Sequence, residues 1–584
     1  MYFSTLNIGK NVRHGSCVAL TLMGLPCFFG LSLQLAYSQI AFPVSAIPKI
    51  PATMPAVKLT AQAPPLEFLR DTLSKRGVDL RLIQPLNRTT LPQARTAPGE
   101  LVGVVEENTL HAYWNQQSGE AEILPQLDKI RGVPFTGRQD VHLTQALTLA
   151  RQTFARPDFF PKDDTAFAVG EARPLVSSTA QQAAGRVQTS ETQLLLTYVP
   201  VRRTVQGYSV YGFGSRAAIA VGPEGNIQGV VRRWKAGKLS ANLSERRNAI
   251  QIHDEIVKRL TPLAANSEIT VESVEFAYYD NGGDEMIPVI RTVARLHPRQ
   301  RAGAAAAVSE DDWEAIYLAY GGGSLPPELT PGAGPQPTVA PKQAASVGQS
   351  EAAEGDPLIG MYVVRDAPAA SNGSGESSGF VAESNGFWSG LESSSGAHQF
   401  TLAQYYWAVP QVYTTWEAYY VNNVNVALTE AHGANWLFTT ESNCCDEVNI
   451  AQIPASQGYG AANHGKLDYW IIHSCDVVPS AADVSNWYGP WWNIFQGLHA
   501  VMGARTSMLF DGGTVNKQVG QSIGNGAGVV PSWFDATMSY YPLSKQPPLD
   551  RPSAVMVCGH WGDTVYNTAA LPAATCLQNF WEPN

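Results

Sequence analysis

An α/β fold is predicted: a C-terminal parallel or mixed sheet with helices on both faces, preceded by an α+β module. Two short apolar runs carry this prediction. Tyr469-Trp470-Ile471-Ile472 ends abruptly on His473-Ser474-Cys475, and Val424-Asn425-Val426-Ala427-Leu428-Thr429-Glu430-Ala431 ends on His432-Gly433. Both have the length and continuous apolar character of strands buried on both faces. Spacing is the third observation. About 40 residues separate His432 from Cys475, enough for a strand-to-strand crossover of a dozen or more. Functional groups gather at the carboxyl edge of such a sheet. A thiol and an imidazole at neighbouring strand ends have the arrangement for cysteine nucleophilic catalysis.

The remaining elements follow in chain order. Lys10, Arg13 and His14 precede a largely apolar stretch from Ser16 to Leu35, and Ala36-Tyr37-Ser38 offers small residues at a cleavage site. Residues 1–38 therefore read as a secretory signal peptide. A single membrane anchor is the rival reading of the same stretch. No later run is long and apolar enough to span a bilayer, so no membrane attachment is expected after cleavage. Residues 39–65 form a Pro/Ala-rich connector, expected to be extended and mobile.

Residues 66–320 read as an α+β module. Leu66, Leu69 and Leu73 share a helical face, and helical spacing returns from Val141 to Ala155. Strands are predicted at Gln193–Val201, Tyr208–Val210, Ala217–Val221 and Ile227–Trp234, with Gly222 to Asn226 as a hairpin turn. No catalytic or metal-binding cluster stands out there. Residues 321–378 are a Pro/Gly/Ser-rich linker interrupted by one short strand, Leu358 to Val364. Residues 379–584 form the second domain, with a helix expected over Trp491–Met502 and a late strand over Ser553–Cys558.

Composition narrows the function. A chain of 584 residues exceeds the ~100–200 of one domain. The net charge of −10 argues against nucleic-acid binding, which needs basic patches. Without the signal, Cys444, Cys445, Cys475, Cys558 and Cys576 remain, an odd number. In an oxidising compartment one thiol is then left over, and Cys475 is the natural candidate. The other four can pair in three ways, with Cys444 and Cys445 bonding elsewhere rather than to each other. Five buried free thiols are the alternative.

Glu430-Ala431-His432-Gly433, Ile471 to Asp476, and Phe495 to Gly503 together resemble the caspase/gingipain/legumain-like cysteine peptidases of clan CD. They are similar in particular to uncharacterised caspase-like domains of secreted bacterial proteins. The resemblance covers roughly the last third of the chain. It implies a caspase-like sheet, Cys475 as nucleophile and His432 as base. It also implies that the Gly433 amide joins the Cys475 amide in an oxyanion hole. Ser474 fits the small residue such enzymes place before the cysteine, whereas His473 departs from the pattern. These enzymes need no metal for chemistry, although several secreted relatives bind structural calcium. A second resemblance, from Tyr198 to Trp234, is to prodomains of secreted metallopeptidases. It implies a module that inhibits or chaperones the peptidase domain in cis, as in a zymogen.

Other histidines compete with His432. His464-Gly465 lies at the start of the cysteine's own strand, the wrong edge of the sheet. His473 adds a second imidazole, and His499 reads as a hydrogen-bonded, partly buried side chain. A zinc site drawn from these histidines and cysteines lacks the usual ligand spacing. Asp476, Asp511 and Asp535 are candidates for an acidic pocket that would select a basic residue. The expected function is a secreted or periplasmic cysteine endopeptidase acting on proteins or peptides, with no cofactor. The alternatives are a catalytically inactive binding or scaffold protein, or another thiol hydrolase or transpeptidase.

Overall fold

A computed structural model provides the structure. It describes residues 40–584 except 41, 87–100, 107–108, 139, 184, 241–245, 266, 299–310, 342–355, 365–377, 395–399, 441–446, 541–548 and 567–568. The signal-peptide segment and the pair Cys444 and Cys445 lie outside the described residues.

The chain is mixed α/β. Its N-terminal half opens with β1 (Val57–Thr60) and α1 (Leu66–Lys75), which buries Phe68, Leu69 and Leu73. Next come α2 (Val141–Phe154), capped by the Asp140 carboxylate, and four antiparallel strands: β2 (Arg173–Ala183), β3 (Gln193–Val205), β4 (Arg216–Val221) and β5 (Ile227–Arg233). The turn between β4 and β5 uses Gly225 in the left-handed region, as its sequence predicts. After α3 (Ala249–Leu260), which starts with an Asn248/Gln251 capping box, three long strands form a meander. They are β6 (Ser267–Tyr279), β7 (Glu285–Pro298) and β8 (Asp312–Ala319).

The stretch 39–65 is not a free connector over its described part. Ile40, Phe42, Met54, Val57 and Leu59 are buried, and β1 pairs with both Ala236–Leu239 and β7. Enough apolar side chains stand among its prolines to fill the groove under α3.

The C-terminal sheet draws its first strand from the expected linker. β9 (Leu358–Val363) is buried at Ile359, Met361, Tyr362 and Val363, which explains its place between two other strands. The remaining elements are α4 (Ser378–Ser393), β10 (Thr401–Trp407), β11 (Val426–Glu430), β12 (Tyr469–His473), β13 (Ala500–Ala504), β14 (Leu509–Phe510), α5 (Thr514–Gly524), α6 (Val529–Ser539), β15 (Pro552–Val557) and β16 (Cys576–Trp581). The strand order is β10-β9-β11-β12-β13 in parallel, continued antiparallel by β15 and β16. The helix expected over Trp491–Met502 is corrected here. Only Trp491–Ile494 is helical, the backbone leaves the helix at Phe495 (φ −80°, ψ 70°), and β13 follows as a buried central strand.

The two halves share one sheet and one core. β16 pairs antiparallel with β2 from Cys576↔Gln181 to Trp581↔Val176, so the sheet continues into the N-terminal strands. Leu175, Leu196 and Tyr198 belong to the same apolar cluster as β11, β12 and α6. Arg173 is enclosed by the C-terminal half: its Nε donates to Glu582 Oε1 at 2.9 Å and its Nη1 to the carbonyls of Thr537 and Tyr540 at 2.8 and 2.7 Å. The Tyr198 hydroxyl donates to Asp535 at 2.6 Å, and the Ser522 hydroxyl to Glu122 at 3.0 Å. Among the described residues, no helix is long and apolar enough to cross a membrane.

Helices α4 and α5 pack backbone to backbone. A methyl on Gly390 would stand 2.1 Å from the Lys517 carbonyl oxygen, and one on Gly520 would stand 2.2 Å from that of Phe387. This close approach buries Glu383, whose Oε1 accepts from the amides of Asp511 (2.8 Å) and Gly513 (3.0 Å). Burial pushes the Glu383 carboxyl up to about 7, against the pull of His473.

Two predictions follow from this core. Glu582→Ala strands the buried Arg173 guanidinium, and about 3–5 kcal/mol of stability is expected to be lost in urea unfolding. A loss below about 1 kcal/mol would mean the halves are only loosely joined. Glu383→Gln tests the buried carboxyl. The folded state holds this proton above the unfolded pKa, so wild-type stability falls as pH rises from about 4.5 to about 7. The Gln variant should lack that slope and gain on the order of 3 kcal/mol relative to wild type between pH 4 and pH 8. Parallel pH profiles would contradict the assignment. His473, held below its usual range by burial, acts on the acid side in both proteins.

Candidate functional site

The site is built where β11 and β12 end. They pair in parallel from Val426↔Tyr469 to Glu430↔His473, which brings His432 and Cys475, each two residues further on, to the same edge. Gly433 lies against the cysteine segment. A β-carbon there would meet Ser474 Oγ at 2.2 Å and the Cys475 carbonyl oxygen at 2.7 Å, so only glycine fits this approach. Gly433–Ala434 then starts a small antiparallel sheet with Leu437–Thr439 and Glu447–Asn449. The Thr439 amide donates to the His432 carbonyl at 2.9 Å and fixes the backbone at the imidazole.

A third group comes from the other half of the chain. β8 pairs in parallel with β14, Trp313 with Leu509 and Glu314 with Phe510, and so delivers Asp312 to the edge. The Cys475 thiol donates to Asp312 Oδ1 at 3.3 Å. His432 Nδ1 lies in close polar contact with Asp312 Oδ2. One carboxylate thus joins thiol and imidazole. The Met508 amide donates to Cys475 Sγ at 3.2 Å. The Phe380 ring from α4 meets the His432 ring edge-on at 4.9 Å.

Electrostatics keep this thiol protonated. Cys475 is 1% exposed. Burial, then the charge of Asp312, raises its pKa well above the ordinary thiol range, and the Met508 amide offsets this only in part. The His432 side chain is 20% exposed and Asp312 4%. Solvent therefore reaches the imidazole before the thiol.

The other candidates lie elsewhere. His473 is buried, with Nδ1 2.7 Å from Glu430 Oε2, while Asn516 Nδ2 donates to Glu430 Oε1 at 2.8 Å. Its ring meets Phe510 and Trp533. His464 ends a short turn before β12 begins, in the left-handed region. His499 is buried, with partners Asp563 and the Ala569 carbonyl. The acidic-pocket candidates are also placed. Asp535 sits inside α6 against Tyr198, and Asp511 is buried beneath Tyr317, Tyr540 and Arg291. Asp511 borders a small cavity with Glu383, His473 and Tyr540, and both carboxylates accept from buried donors. Asp476 follows the cysteine in the left-handed region. Cys558 and Cys576 form a disulfide, and Cys475 is the free cysteine among the described residues.

Asp312 is the residue that sequence reasoning missed. It follows Ser309-Glu310-Asp311 in the sequence and opens a strand whose residues are buried throughout. It stands 163 positions from the cysteine it touches, and no local motif marks it.

Residues 368–567 match a family described as a domain of unknown function, DUF6345. No curated protein matches the chain. One similar solved structure is that of an uncharacterized protein from Eubacterium rectale ATCC 33656. It is 11% identical, the alignment covers 46% of this chain and 85% of that one, and the TM-score is 0.28.

Proposed function

We propose that the chain is a secreted cysteine endopeptidase with a caspase-like arrangement of catalytic groups, held latent in this conformation by Asp312. The observation that carries the reading is the convergence of Cys475 and His432, from adjacent parallel strand ends, on one carboxylate. Cys475 attacks the peptide carbonyl. His432 accepts the thiol proton and returns it to the leaving amine, a role worth roughly 10²–10⁴-fold in rate. The amides of Gly433 and Cys475 hold the oxyanion, each donor worth on the order of 3 kcal/mol. The chemistry needs no metal or cofactor. The disulfide Cys558–Cys576 supports an oxidising location outside the cytoplasm.

The N-terminal half serves as the restraint in cis. While the thiol donates to Asp312 it is not shared with the imidazole, and the same carboxylate holds the imidazole in place. Activation then requires Asp312, the first residue of β8, to withdraw from the edge. The restraint is part of the fold, since β9 and β2 complete the C-terminal sheet.

The buried, protonated thiol favours a second reading, a non-catalytic binding protein in which Asp312, His432 and Cys475 form a structural bridge. Casein hydrolysis by the Asp312→Ala chain separates the two. The peptidase reading predicts activity above wild type, abolished by adding Cys475→Ala and reduced at least about 100-fold by adding His432→Ala. His464→Ala should have little effect. A folded Asp312→Ala chain without Cys475-dependent hydrolysis, whose cysteine reacts slowly and regardless of His432 with a peptidyl electrophile, would leave the binding protein as the answer.

A further inference from the structure

A second cluster lies at the opposite, amino edge of the sheet. His499 immediately precedes β13, and His560 and Asp563 sit on the loop after β15. One ligand atom from each of the three lies within 4.8 Å of the others. The Nδ1 atoms of His499 and His560 stand 2.8 and 2.7 Å from the same oxygen, Asp563 Oδ2. His499 Nε2 stands 3.0 Å from the Ala569 carbonyl oxygen.

Hydrogen counting makes this arrangement informative. A carbonyl oxygen only accepts, so His499 Nε2 carries the hydrogen. Nδ1 of the neutral ring then presents a lone pair to a carboxylate oxygen. Two lone pairs facing each other repel, and a cation held by both relieves the repulsion. A metal ion meets the same need with a neutral ring. An imidazole N–H held by a backbone carbonyl is the outer-shell contact that orients metal-bound histidine.

The surroundings suit a built site. The disulfide Cys558–Cys576 ties the loop to β16, the Val529 amide donates to the Asp563 carbonyl at 3.0 Å, and Trp561 stacks on Phe534. Asp563 lines a cavity of about 590 Å³ with Gly559 and Gly562 of the same loop and with Glu106 and His111 from the N-terminal half. That cavity gives water or a small ligand access to the carboxylate.

We infer that His499, His560 and Asp563 bind a divalent transition metal of the zinc class through two imidazole nitrogens and one carboxylate oxygen. A further coordination position opens to the cavity. Two nitrogens and one oxygen favour zinc over calcium or magnesium, which take oxygen ligands. This site is independent of the peptidase reading.

The test is calorimetric titration of the full chain with zinc chloride after chelator treatment, on a Cys475→Ala background so that the thiol cannot be the ligand. One zinc per chain is expected, with a Kd of about 1 μM or tighter. His560→Ala and Asp563→Asn should each weaken binding at least about 10-fold while the far-ultraviolet circular dichroism is unchanged. His560 is 30% exposed, which makes it the safer variant for folding, and Asp563→Asn keeps the side-chain volume. Absence of saturable zinc binding, zinc binding that survives both substitutions, or saturation by calcium chloride alone would each overturn the inference.

Discussion

The bridge made by the Asp312 carboxylate between Cys475 Sγ and His432 Nδ1 is the interaction on which the account of this site rests. It exists because three strand ends meet at one edge. β11 and β12 bring the imidazole and the thiol together, and β8 brings the carboxylate by pairing with β14. Removing the carboxylate changes two things at once. The thiol loses a negative neighbour that favours its protonated form, and the imidazole loses the charge that anchors it. The same contact therefore governs the protonation of the thiol and the freedom of the imidazole.

That bridge is possible only because the halves of the chain are not separate bodies. A tethered module could place a carboxylate at the site some of the time. Here the β16–β2 pairing, the enclosed Arg173 and the shared apolar cluster hold the N-terminal strands in the C-terminal core. A restraint built this way resists simple dissociation. In the proposed peptidase, activation has to act locally, at the start of β8, without opening the sheet behind it. Buried carboxyls such as Glu383 add a pH-dependent cost to the same core.

Much of the C-terminal design is legible in the chain. The apolar runs before His432 and Cys475 are strands in parallel register, because short continuous apolar segments have few other ways to be buried. Cys475 is free among the described residues, as expected, but Cys558 and Cys576 pair with each other, which overturns the expectation that Cys444 and Cys445 bond to them. Trp491–Met502 misleads because an apolar run with small residues fits both periods, and the bridges that Phe495 and Gln496 make to Tyr459 and Ala573 decide against the helix. β9 is legible as a short strand within Pro- and Gly-rich text, but nothing local shows that it belongs inside the C-terminal sheet. The pairing of β16 with β2 leaves no periodic mark in either strand. Asp312 and the group His499, His560 and Asp563 are set by tertiary contact alone, so no spacing rule points to them.

The central claim is tested most directly by the pH dependence of iodoacetamide alkylation at Cys475, compared between the wild-type chain and Asp312→Asn. The account predicts a wild-type thiol that reacts slowly and ionises well above the ordinary range. In the Asn variant, the midpoint should shift to lower pH and the rate at pH 7.5 should rise at least about 10-fold, since one pKa unit is a factor of ten in thiolate. Superimposable profiles for two folded proteins would contradict it, and would leave Asp312 without the restraining role assigned to it.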